Sequence, residues 1–274
     1  MTSSSSSSSS SSFFKPLLQR SGMALALAAV CASASADALP QFTFNPAAAG
    51  LAGAAFTGDN ILISNYSSVL SGPGGSFTES GYLSFSALQL GGSTFTPAGL
   101  NSSYGMYIAF SGSGVTSGGN PAQGITFGAL TSLNYTMYGY NGPASFGFSG
   151  STPTETASGE VVLASGSLIS GGVVSIPSGD GVHFTPSAAA SLTFEVAPGQ
   201  GGFFQLPAPF FSQAITAFTN TSSQVSPMAG GFLISQGGGS INFTAAVPEP
   251  ETYLLMLAGL AALTFVARRR SSKS

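Results

Sequence analysis

The chain has no tryptophan, one cysteine and one histidine, and only 5% of its residues are charged. Its most informative absence is positional. No Lys or Arg occurs between Asp37 and Ala246, and all six cations sit at the ends, as Lys15, Arg20, Arg268, Arg269, Arg270 and Lys273. That span carries seven acids, Asp37, Asp59, Glu79, Glu155, Glu160, Asp180 and Glu195, so with His183 neutral its net charge is −7. A surface without cations cannot neutralise phosphates, which excludes nucleic acid as a direct partner. Docking on anionic lipid by charge is excluded for the same reason.

The amino terminus holds an unbroken serine run, Ser3 to Ser12, then Lys15 and Arg20, then an apolar stretch from Met23 to Val30. Ala34-Ser35-Ala36 places small residues where a signal peptidase reads, making Asp37 the expected first mature residue. The apolar core is too short for a permanent span, so a cleaved signal peptide is expected. Cys31 lies inside this leader and follows Val30, a poor context for lipidation. The mature protein then has no thiol, hence no disulfide and no thiolate metal site. The expected division is a leader over residues 1–36, an acidic β-rich domain over 37–246 and a tail over 247–274.

Within the middle segment, period-two alternation marks strands. Tyr104, Met106, Ile108 and Phe110 alternate with Gly105, Tyr107, Ala109 and Ser111, and Leu133, Tyr135 and Met137 alternate with Asn134, Thr136 and Tyr138. Leu192 to Val196 follows the same rule. Further strands are predicted over Gln41 to Phe44, Asn60 to Tyr66, Gly81 to Leu90, Gly124 to Leu130, Glu160 to Leu168, Gly231 to Ser235 and Ser240 to Ala245. The phase slips between Ala87 and Leu88, as a bulge would make it. Gly/Pro-rich runs at 71–75, 91–92, 118–121 and 177–181 read as turns, and Phe210 to Phe218 is the one place compatible with a short helix. Many short strands without helical alternation predict an all-β fold, an antiparallel sandwich or jelly-roll-like domain.

The tail opens with Val247-Pro248-Glu249-Pro250, where two prolines hold the chain extended. The apolar run Thr252 to Ala267 follows, about 24 Å long as a helix at roughly 1.5 Å per residue, and predicts a single C-terminal transmembrane helix. Arg268-Arg269-Arg270 then acts as a stop-transfer cluster on the cytoplasmic side. The bland alternative is a plain C-terminal anchor. In this order of elements the chain resembles the PEP-CTERM proteins of Gram-negative bacteria. The resemblance implies an exosortase as sorting and processing partner, passing association with the inner membrane, and delivery to the cell surface or matrix. Short motifs along the middle segment, among them Phe56-Thr57-Gly58-Asp59-Asn60-Ile61, Tyr104-Gly105-Met106-Tyr107 and Gly237-Gly238-Gly239-Ser240-Ile241-Asn242-Phe243, resemble flocculation-associated members of that family. This second resemblance implies a role in flocs through exopolysaccharide and brings no catalytic residues.

Candidates for chemistry are few. His183 follows Asp180 by three residues and could be a base oriented by a carboxylate, but a turn leading into Val182 to Thr185 explains it more simply. Glu155 and Glu160 could be posed as a glycosidase pair, although both lie in a Thr/Ser/Gly-rich stretch that reads as a solvated loop. Calcium at Asp59 or Asp180 lacks the acid cluster of a calcium loop. Tyr135, Tyr138 and Tyr140 could stack on sugar rings; only Tyr138 and Tyr140 share a strand face. The expectation is therefore a non-enzymatic exported protein without cofactor or metal, associated with exopolysaccharide. A carbohydrate-binding module and a polysaccharide hydrolase are the alternatives.

Overall fold

A computed structural model describes residues 39–244. The signal-peptidase residues Ala34, Ala36 and Asp37 lie outside the described residues, as do the tail with Val247 to Pro250, its expected helix and Arg268 to Arg270. Among the described residues no helix is long and apolar enough to cross a membrane.

The strands are β1 (Phe42–Phe44), β2 (Phe56–Gly58), β3 (Asn60–Ser71), β4 (Ser76–Leu90), β5 (Ser93–Phe95), β6 (Tyr104–Thr116), β7 (Thr126–Asn141) and β8 (Phe146–Ser149). They continue with β9 (Thr152–Glu155), β10 (Val161–Pro177), β11 (Phe184–Thr193), β12 (Glu195–Val196), β13 (Phe204–Leu206), β14 (Gln213–Thr219), β15 (Val225–Met228) and β16 (Gly231–Thr244). Eight of them, β3, β4, β6, β7, β10, β11, β14 and β16, pair antiparallel with their successors along the chain. The last then pairs with the first, from Gly231 opposite Leu70 to Ile241 opposite Ile61. The result is a closed up-and-down barrel.

The all-β antiparallel expectation holds, and the sandwich or jelly-roll form is corrected to a barrel. The reason lies in strands that are longer than their alternation suggested. Thr126 to Leu130 and Leu133 to Tyr140 are parts of one strand, β7, and Gly231 to Thr244 runs through three glycines as β16 with a bulge at Gln236. A side chain on Gly81 would strike the backbone carbonyl of Tyr66, and one on Gly128 that of Val115. Glycine inside a strand permits the close approach that tight curvature needs. Barrel strands of 7 to 17 residues then tilt and close. The phase slip in β4 is a real bulge, at Ser86, since Phe85 and Ala87 face consecutive residues of β3. Phe210 to Phe218, read as compatible with a helix, instead enters β14.

Inward positions carry the predicted apolar faces: Tyr104, Met106 and Ile108 on β6, and Tyr135 and Met137 on β7, are buried in one core. One end of the barrel is plugged by the small sheet β13-β1-β2. Phe44 sits at its centre, with ring centroids 4.8 Å from Phe42, 4.9 Å from Phe203, 5.2 Å from Phe204 and 5.7 Å from Phe56. Phe194 and Phe243 of the barrel wall join this cluster at 5.0 Å from each other. Burial of each such ring stabilises the plug by roughly 1.5–3 kcal/mol. The opposite end carries the β3–β4, β6–β7 and β10–β11 turns.

Candidate functional site

Eight strands enclose a space that is either filled by side chains or holds one small ligand. Here the phenylalanine plug fills one end and leaves a cavity of about 300 Å³. Its floor includes Met137, Phe194 and Phe243, and its walls reach up to Gly75, Gly118 and Pro121 in the rim turns. Most of the wall is apolar because inward positions of alternating strands are apolar. Polar residues interrupt it, and one group of them lies on β3 and β4. Ser67 Oγ donates to Glu79 Oε1 at 2.7 Å, and Asn65 lines the cavity nearby. Ser67 faces Gly81 in the register, so the missing side chain there leaves its hydroxyl room to reach Glu79. Glu79 keeps some accessible surface and lines the cavity. Loss of water raises its carboxyl above the ordinary value, while the side chains of Ser67 and Asn65 pull in the opposite direction. Asn65 is only 3% exposed, yet its Oδ1 has no hydrogen-bond partner.

The outer wall presents two adjacent rows that the register sets side by side. Ser68, Ser80, Ser111, Asn134 and Ser167 face one another across β3, β4, β6, β7 and β10. Ser68, Ser80, Ser111 and Asn134 border a shallow groove of about 260 Å³ that Thr78 and Ser132 also line. Beside it, Tyr66 faces Tyr82, and Tyr107 stacks on Tyr138 with centroids 5.1 Å apart and planes at 20°. Phe146 of the β8–β9 hairpin packs on this aromatic group, 5.4 Å from Tyr107 and 5.9 Å from Tyr66.

Glu155 and Glu160 are brought to the same place. Tyr107 donates its hydroxyl to Glu160 Oε1 at 2.6 Å, and Glu155 Oε2 accepts the Ala157 N–H at 2.5 Å. Burial first, then the Glu155 and Glu160 charges, raise the Tyr82 phenol above its usual value. Of the tyrosines singled out for stacking, Tyr135 points inward and donates to the Thr193 carbonyl at 2.8 Å. Tyr140 is buried, and Tyr138 alone belongs to the outer row. Asp180 and His183 meet in the exposed β10–β11 turn, with Nδ1 and Oδ2 2.5 Å apart. Asp180 Oδ1 also accepts the N–H groups of Val182 and His183. These bonds, led by the His183 N–H, hold its carboxyl well below the usual range. Asp59 accepts the Gly91 N–H at 2.6 Å. Among the described residues no three His, Cys, Asp or Glu side chains gather as metal ligands.

Sequence reading missed the cavity group. Ser67 and Asn65 lie on a strand read only by its apolar alternation, and the signal available was an acid, Glu79, at an inward-facing phase beside Phe77.

The described domain is a closed β-barrel with a lumenal cavity, carried on a chain whose end has a recognisable address. Residues 246–270 match the PEP-CTERM protein-sorting motif. The motif implies export, a membrane-associated sorting signal and an exosortase as processing partner. No curated protein and no solved structure matches the chain.

Proposed function

We propose that the exported barrel is a non-enzymatic surface or matrix protein of a Gram-negative cell that contributes to floc or biofilm formation by associating with exopolysaccharide. The observation that carries this reading is the outer wall, where a row of hydroxyl and amide side chains lies in register beside a row of tyrosines. Sugars offer hydroxyls to the first and ring faces to the half-buried Tyr66, Tyr82 and Tyr138 of the second. The wall has no cation, so attraction to an acidic polymer runs through hydrogen bonds, apolar contact or bridging divalent ions. The resemblance of short motifs to the flocculation-associated PEP-CTERM protein PepA supports the same role. Deleting the gene should reduce floc formation and exopolysaccharide retention, and a copy with Tyr66→Ala and Tyr138→Ala should restore them only partly. Unchanged flocculation in the deletion strain would reject the role.

The flanking carboxylates Glu155 and Glu160 favour a second reading, a module with a defined sugar site. Saturable binding on a glycan panel, with and without calcium, that is weakened by Tyr138→Ala supports it. Absence of saturable binding rejects it and leaves a diffuse association.

A further inference from the structure

We propose that the barrel lumen is a binding site for a small apolar molecule carrying one hydrogen-bond donor, an alcohol or an amine, with the donor seated between Asn65 and Glu79. The inference is independent of the outer wall and its sugar reading.

Three observations carry it. The cavity, at about 300 Å³, lies at the lower edge of the sizes that ligand pockets have. At roughly 30 Å³ for each non-hydrogen atom, the volume a liquid water occupies, it accommodates about ten such atoms. Second, two buried amide oxygens among its lining residues, those of Asn65 and Asn220, have no hydrogen-bond partner. An unmet buried acceptor is costly unless something donates to it. Glu79 accepts from Ser67 and from the Asn65 amide, and a carboxylate has further lone pairs. The unmet amide oxygens call for a donor. Third, the region 37–246 contains no Lys or Arg, so a carboxylate ligand would enter a lumen with no counter-charge and one acid already inside. Fatty acids are therefore disfavoured, whereas an alkyl alcohol or ammonium meets acceptors.

The rim provides a route. Leu70, Val115, Ile125, Phe127, Ile176 and Val182 are all exposed. They stand at the end of the barrel where the β3–β4, β6–β7 and β10–β11 turns lie. Phe127 is 66% exposed. Such a collar offers an apolar molecule a first contact before it passes the rim turns that the cavity reaches.

The test is calorimetric titration of the protein, purified in its exported form from the producing cells, with 1-decanol, decylamine and decanoate near neutral pH. Saturable one-to-one binding of the alcohol and the amine is expected, with decanoate weaker by roughly tenfold or more, since like charges brought together cost several kcal/mol. Leu130→Trp, which fills the cavity, should abolish binding while the far-ultraviolet dichroism of the barrel is retained. If that variant does not fold, Glu79→Gln decides. It keeps an acceptor for Ser67 and should weaken decylamine by about tenfold while leaving 1-decanol within about threefold. No saturable binding of either donor probe, decanoate as tight as decylamine, unaltered binding by folded Leu130→Trp, or unaltered decylamine affinity in Glu79→Gln would each overturn the proposal.

Discussion

Ser67 and Glu79 meet inside the barrel, a hydroxyl of β3 donating to a carboxyl of β4 at 2.7 Å. Their pairing sets an acid where its charge is poorly solvated, and the carboxyl is raised as a result. In the window between the unfolded pKa, about 4.3, and the higher folded one, the folded state binds more protons. Stability contributed by Glu79 is thus fully present below about pH 4.3 and is lost as pH rises through the folded pKa. Glu79→Gln should remove this slope and raise Tm at neutral pH. Melting curves over a pH series check it, and an identical slope in the variant contradicts it.

The plug depends on Phe44, whose ring touches those of Phe42, Phe56, Phe203 and Phe204. Phe44→Ala should cost about 3–5 kcal/mol, lost contacts and residual cavity together. Denaturant unfolding measures this directly. A loss under 1 kcal/mol, on the order of a surface substitution, would mean that the plug is not packed as described.

On the outer wall, Tyr107 donates to Glu160 at 2.6 Å. Hydrogen bonds to charged groups contribute about 1.5–3 kcal/mol, and the exposure of Glu160 argues for the lower end. Tyr107→Phe should therefore destabilise by about 1.5 kcal/mol. A double-mutant cycle with Glu160→Ala should return a coupling of about 1 kcal/mol; zero coupling would dissolve the pair.

Gly81→Ala should cost about 1–3 kcal/mol through overpacking, because the added methyl meets the Tyr66 carbonyl and Ser67. It should also disturb the approach of Ser67 to Glu79, so the pH slope of Tm changes along with its value. A neutral substitution would show that β3 and β4 are further apart there.

For the tail, mass spectrometry of the mature C-terminus should find a chain ending upstream of Ser274. Replacing Pro248 and Pro250 by alanine should leave full-length protein in the inner membrane. An intact wild-type peptide through Ser274 would make this a plain anchored protein.

How much was readable in advance varies along the chain. The faces of β6 and β7 were legible because alternation survives any antiparallel arrangement: Tyr104, Met106 and Ile108 go inward whether the sheet closes or stacks. The barrel was not legible, because closure rests on long pairings such as Gly231 with Leu70, and on glycines whose role is to let a neighbour's carbonyl approach. The same limit applied to the sites. Glu155 and Glu160 were visible as acids, but the tyrosines beside them come from β3, β4, β6 and β7.

The sequence by itself determined the address of this protein and the sign of its surface. A proline-flanked glutamate, an apolar run and an arginine cluster act as a linear string, and the exclusion of phosphate partners follows from a count of cations. Only the tertiary structure decided that inward residues leave a cavity, and that Asn65 and Glu79 share it. Those depend on curvature and register, which place residues by distance in space rather than by spacing along the chain.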